Sequence, residues 1–191
     1  MDAIRILQDE HRTFGALLHA LRHLVREMRD HGAAPRFELL GAIVYFMDTY
    51  SERIHHRRES EYLFPRLRAR CPAAGPTLDR LEAEHRAGDR EIRELEQALT
   101  RYRHGGAAEF AAFAAAAESY AEHQQQHMRL EEREILPLAR EYLRPADWDT
   151  IDRAFAGNAV PAFDDDTAAS YRTIFSRIVA MAPPPIGVGP D

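Results

Sequence analysis

Lysine is absent from this chain: its 25 basic residues are all arginines, set against 31 acidic ones. The net charge of −6 leaves no basic face of the kind that grips a phosphate backbone, so nucleic acid is excluded as an expected partner. Together with the abundance of alanine, the missing lysine reads as base-composition bias in the gene rather than as function. There is one cysteine, Cys71, so no intramolecular disulfide can form, and its place before Pro72 in a loop-like stretch suits a reducing compartment. No run of about 18 apolar residues occurs, and the N-terminus carries no apolar stretch of signal-peptide length. Neither a membrane span nor export is expected, and the cytoplasm is the expected location. Flavin and nicotinamide motifs are missing too, so redox turnover would need electrons from another protein or from the substrate itself.

What is present is helical periodicity. The 191 residues suffice for one domain that buries about 70% of its unfolded surface. Ile4, Leu7, His11, Phe14, Leu18, Leu21 and Val25 recur three or four apart over 2–30, an amphipathic stripe on which His11 lies. After the breaker Asp30–Pro35, a second helix runs from Phe37 to about Leu67, with Pro65 inside it and expected to kink or tighten its last turns. Cys71–Pro76 is the midpoint loop. A third helix is predicted over 77–103, ended by His104-Gly105-Gly106, and a fourth over 108–142. Four long helices with connections of about five residues predict an all-α fold, an up-down-up-down antiparallel four-helix bundle over 1–143. Residues 144–191 form a C-terminal helical appendix, with short helices at 146–156 and 166–181 and a turn holding Pro161 and the acidic run Asp164–Asp166. Trp148 and Phe155 share one face that should pack on the bundle, and the Pro/Gly-rich tail from Pro183 should lie extended over the surface or be loose.

The chemistry-bearing residues occur twice. Glu10-His11-Arg12 is echoed by Glu84-His85-Arg86, and His55-x-x-x-Glu59 with Pro65 is echoed by His127-x-x-x-Glu131 with Pro137. His11 and His55 stand 44 positions apart, and His85 and His127 stand 42 apart. A histidine and a glutamate at i and i+4 differ by about 40° in direction and about 6 Å in height, so both can face one point in a helical core. A lone pair of this kind is usually a solvated ion pair. Here it recurs with matching partners on otherwise apolar stripes, and two buried glutamates without a counter-charge would cost several kcal/mol each. Two such hairpins would surround a two-metal centre whose imidazoles and carboxylates suit iron, manganese or zinc.

The arrangement resembles the hemerythrin-like family, the HHE cation-binding domain, over roughly residues 3 to 143. The motif strings are Glu10-His11, HHRRESEYLFP from His55 to Pro65, Glu84-His85, and HMRLEEREILP from His127 to Pro137. The resemblance implies His11, His55, His85 and His127 as terminal ligands, with Glu59 and Glu131 as bridging carboxylates. It also implies two iron ions in an Fe–O–Fe or Fe–carboxylate–Fe centre, with zinc or manganese able to take their place in recombinant material. One departure stands out. Oxygen-carrying hemerythrins have a second histidine on the third helix four residues from the first, where this chain has Leu81 and Asp89. His56 is the first candidate for the fifth histidine, since iron-sensing relatives look as though they use the residue after the second-helix histidine; His123 and Asp89 are the other candidates.

The remaining residues carry blander readings. His19 and His23 are rotated about 80° and 120° from His11, which gives them solvated or boundary roles, and His31 and His104 belong to connections. Tyr45, Tyr62 and Tyr120 could approach the metal pocket as donors to its ligands, with packing in the bundle the favoured reading; Glu61 and Glu132 read as solvated, and Glu134 as a boundary residue or one that supports the ligands. The function implied is binding or processing of oxygen, peroxide or nitric oxide, with peroxide dismutation as one possible turnover. The alternatives are an iron- or oxygen-responsive sensor acting through a redox or regulatory protein partner, and a structural zinc bundle without turnover.

Overall fold

The computed structural model describes residues 2–156 and 165–189. Among them the fold is all-α, and no strand occurs. Helix α1 is Asp2–His31, and Gly32 ends it at φ +65°, the left-handed conformation glycine adopts without a Cβ penalty. Helix α2 is continuous over 37–70, α3 is Gly75–Gly105, and α4 covers 110–142. The appendix adds α5 at Pro145–Phe155 and α6 at Asp165–Met181. The midpoint loop is shorter than expected: Pro72–Ala74 makes a 3₁₀ turn and α3 begins directly after it. Of the predicted appendix turn, Pro161 and Asp164 lie outside the described residues.

Both prolines inside α2 and α4 are accommodated in the same way, and not by tightening. Glu59–Leu63 and Glu131–Ile135 are single π-helical turns, after which Phe64 N–H donates to the Glu59 carbonyl and Leu136 N–H to the Glu131 carbonyl. A proline ring clashes with the carbonyl four residues back, and the wider i→i−5 turn just ahead of Pro65 and Pro137 relieves that crowding. A longer π segment, Met47–His55, precedes the first histidine pair. Widened turns therefore sit at His55, Glu59 and Glu131.

Two apolar clusters organise the packing. One contains Phe14, Leu18, Leu21, Leu40, Ile43, Phe46, Ile92, Leu95, Phe113 and Tyr120. The other contains Ile4, Leu7, Leu63, Phe64, Leu67, Leu78, Leu81, Ile135, Leu136 and Trp148. Along α1 the chain passes the second cluster, then His11, then the first cluster; α2 takes the reverse order, α3 the forward order and α4 the reverse again. The buried polar residues thus form one layer between two greasy ones. Helix α3 lies along α4, α4 along α1, and α2 along α3.

Trp148, Ile151 and Phe155 are buried in the second cluster, and α5 lies against α1 and the Glu59 turn. Helix α6 lies against α2, with Tyr171 edge-on to Tyr50 at 5.1 Å. The tail corrects the prediction: it is not extended but turns back on α6, with Val188 N–H donating to the Val179 carbonyl and Gly189 N–H to the Ala182 carbonyl. A Cβ at Gly187 would meet the Val179 and Ala182 carbonyls at 2.4 Å, so glycine is needed for this return. Asp147 caps α5 by accepting from Arg144 N–H at 3.0 Å and is gripped by Arg70 at 2.8 and 3.2 Å. Asp147→Ala is expected to cost about 1 kcal/mol through the lost cap alone, read as a fall in Tm. The Arg70 guanidinium holds the Asp147 carboxyl below its ordinary range, so its contribution is present above about pH 4 and fades as pH falls further.

Candidate metal centre

Five histidines and two glutamates from all four long helices converge in the polar layer. His11, His55, His56, Glu59, His85, His127 and Glu131 are each at least nine-tenths buried. They form two overlapping groups, within each of which the donor atoms lie inside 4.8 Å of one another: His56, Glu59, His85 and His127; and His11, His55, Glu59 and Glu131. Glu59 belongs to both.

The separations have the scale of a coordination shell. His11 and His55 face each other Nε2 to Nε2 at 3.1 Å, as do His85 and His127. Glu59 puts Oε1 at 3.5 Å from His55 Nε2 and Oε2 at 3.5 Å from His85 Nε2. Glu131 puts Oε2 at 3.3 Å from His11 Nε2 and Oε1 at 3.4 Å from His127 Nε2. Each carboxylate offers one oxygen to each histidine pair. Donors held about 2.1 Å from a common ion stand about 3.0–3.4 Å from one another, which these distances approach.

The opposite edge of every ring is fixed. Nδ1 of His55 donates to Glu10 at 2.8 Å, His127 to Glu84 at 3.0 Å, His56 to Glu52 at 2.9 Å and His11 to Glu132 at 3.1 Å, while Ser60 Oγ lies 2.8 Å from His85 Nδ1. With Nδ1 occupied outward, each Nε2 is directed into the cluster, the orientation metal-binding histidines take. The latches follow the repeat. Glu10 and Glu84, each preceding a first-helix histidine, hold the histidine of the partner helix; Ser60 and Glu132, each following a bridging-position glutamate, hold the first-helix histidine of the other hairpin.

The electrostatics expose what is lacking without a cation. Glu59 Oε2 and both oxygens of Glu131 are buried and accept no hydrogen bond from the protein. Burial and the neighbouring Glu131 carboxylate push the Glu59 carboxyl well above its ordinary range. Burial opposes ionisation of Glu131 as well, yet His127 and His11 outweigh it and hold that carboxyl low. Burial would depress His11 and His127, but Glu131 with Glu132 raises the first to about 9 and Glu131 with Glu84 raises the second to about 9. His55, His56 and His85 are pulled below the usual imidazole value, chiefly by burial. Orphaned carboxylate oxygens facing inward imidazole nitrogens make a donor set that suits a divalent metal. The residues fit a metal centre.

Other sequence expectations resolve case by case. His123 donates to Glu91 at 2.8 Å, Asp89 is exposed, and neither belongs to the two groups. His19, His31 and His104 are exposed and His23 is half-buried, all outside the cluster. Tyr45 is 56% exposed and lies outside the core, whereas Tyr120 is buried and donates to Glu52 at 2.6 Å. Glu132 is not merely solvated, since it latches His11, and Glu134 lies on the surface where it accepts from Thr77. Glu52 carries no repeat signal, but its position four before His56 is where an i,i+4 partner belongs. Around the centre, Phe14 stands edge-on to His55 at 5.1 Å and Phe64 stacks on His85 at 5.4 Å.

Residues 2–139 match the family model of the hemerythrin HHE cation-binding domain. No curated protein and no solved structure matches the chain.

Proposed function

Since this chain belongs to the hemerythrin HHE cation-binding family, we propose that it is a cytoplasmic non-haem di-iron protein that binds or processes oxygen, peroxide or nitric oxide. In this reading His11 and His55 hold one ion, His56, His85 and His127 hold the other, and Glu59 and Glu131 span both. The observation that carries it is the pair of buried carboxylates, each with one oxygen toward each histidine pair. The four long helices form an up-down-up-down antiparallel bundle, a topology supported by the alternating order in which they cross the two apolar clusters. Among the described residues no helix is long and apolar enough to cross a membrane.

Iron held there supplies a redox-active Lewis acid with room for a small ligand. The chain's own residues set the conditions. Glu59 and Glu131 fix the spacing of the two positions, and the outward Nδ1 latches keep each imidazole in the tautomer that presents Nε2. Phe14 against the His55 ring and Phe64 stacked on the His85 ring line the centre with apolar surface, which favours a small apolar or peroxidic guest over bulk solvent. With His56 beside His85 and His127, the His11–His55 position would have fewer histidine donors, and an ion held there would be the one to supply ligand-binding chemistry.

Anaerobic reconstitution with Fe(II) is expected to give two irons per chain, and near-ultraviolet charge-transfer absorption on adding oxygen, peroxide or nitric oxide. Retained zinc with no such absorption would instead make this a structural zinc bundle. A sensor acting through a partner protein is the second reading. It draws on one chain of contacts: Phe155 of the appendix lies under the Arg58 guanidinium at 5.7 Å, Arg58 donates to Glu10 at 3.2 Å, and Glu10 latches His55. Metal-dependent amide exchange in α5 would favour it.

A further inference from the structure

The two halves of the centre are related by the repeat, but one departure adds a histidine. Gln124 and Met128 stand in α4 where α2 has Glu52 and His56. Glu52 is 5% exposed, far inside the protein for a carboxylate, and both of its oxygens are engaged. Tyr120 O–H donates to its Oε1 at 2.6 Å, Gln124 Nε2 donates to the same oxygen at 2.7 Å, and His56 Nδ1 donates to Oε2 at 2.9 Å. Tyr120 is 1% and Gln124 2% exposed. The counterpart glutamine is thus not a failed copy of Glu52 but one of the donors that hold it.

The third helix leaves room for this arrangement. Gly88 lies mid-helix in α3, where glycine costs about 1 kcal/mol relative to alanine. A Cβ there would stand 2.6 Å from Glu52 Oε2 and 3.0 Å from Gln124 Nε2. Four chemically distinct choices, on three helices, therefore serve one contact to His56.

We infer that Glu52, clamped by Tyr120 and Gln124 in the space left by Gly88, is a positioning residue that makes His56 a metal ligand and so makes the two metal positions unequal in affinity. The inference rests on the reading of His56 as a ligand given above. A carboxylate on Nδ1 fixes the ring and raises the donor strength of Nε2, and loss of such a partner typically weakens metal binding about 10- to 100-fold. The position served by His56, His85 and His127 fills first, and the His11–His55 position fills second.

Titrating the metal-free full-length chain with Co(II), followed by calorimetry and by the cobalt visible bands, tests this without recourse to turnover. The wild-type chain is expected to show two resolved affinities. Glu52→Leu weakens the tighter one about 10- to 100-fold and leaves the other in place, and His56→Met does the same. Glu52→Gln, which keeps an acceptor oxygen for Nδ1, recovers most of the loss. Wild-type affinities in folded Glu52→Leu, with His56→Met still weakened at one position, overturn the role of Glu52 alone. Wild-type affinities in His56→Met remove the ligand reading, and the inference falls with it. If Glu52→Leu does not fold, Tyr120→Phe carries the test: a several-fold loss at the tighter position supports the clamp, and wild-type binding overturns it.

Discussion

Glu59→Ala or Glu131→Ala is expected to abolish two-metal binding, leaving at most one ion per chain by elemental analysis, while His19→Ala leaves the count unchanged. The contrast follows from where the oxygens sit. Each glutamate serves both histidine pairs, so removing either takes one donor from both positions at once and leaves the other carboxylate as the sole link between them. His19 is exposed and touches neither group. Retention of two metals in either glutamate variant, with the helical spectrum intact, would refute the bridging roles.

Metal removal is expected to reverse the sign of a mutation. Loading both positions should raise Tm strongly: a ligand at 1,000 times its Kd contributes about 4 kcal/mol per site, and each kcal/mol shifts Tm by about 2–4 °C in a protein of this size. Two positions therefore give a rise on the order of 15–30 °C. In the metal-free chain, by contrast, Glu59→Gln should be more stable than wild type by about 1–2 kcal/mol, because it removes the carboxyl that burial and the neighbouring Glu131 disfavour, while Glu131 keeps the facing His11 and His127. The loaded wild type should then melt above the loaded variant, and the metal-free wild type below the metal-free variant. If Glu59→Gln melts below wild type in both states, the two carboxylates are not in conflict, and the need for a cation loses its electrostatic basis.

Most of the architecture was legible because the signals were redundant. Apolar spacing, Gly32, the Gly105-Gly106 pair and the prolines all marked the same helix ends, within a few residues of where they lie. The convergence of His11, His55, His85, His127, Glu59 and Glu131 was legible because the repeat states it twice. The π-turns were not, although their signal was present: a proline six residues after each glutamate requires some distortion, and periodicity alone does not say whether the turn tightens or widens. The latches were half legible, since Glu10 and Glu84 belong to the repeated strings but point to the histidine of the next helix rather than the adjacent one. The Glu52–Tyr120–Gln124 clamp was hidden because it has no echo: a contact made of two different residues at equivalent positions is invisible to a search for sameness. The tail misled because Pro and Gly forbid a helix but do not forbid a hydrogen-bonded return.

The latches have a topological consequence. His11, from the first hairpin, is held by Glu132 of the second, and His85, from the second, is held by Ser60 of the first. Each donor group likewise draws on both sides of the short connection at Cys71–Ala74, which itself supplies no donor. A nick in that connection would leave two pieces, neither with a complete ring of donors nor with all its imidazoles oriented. The centre is a seam between the hairpins, so that a cation bound there would fasten the chain to itself at a second point besides the peptide link.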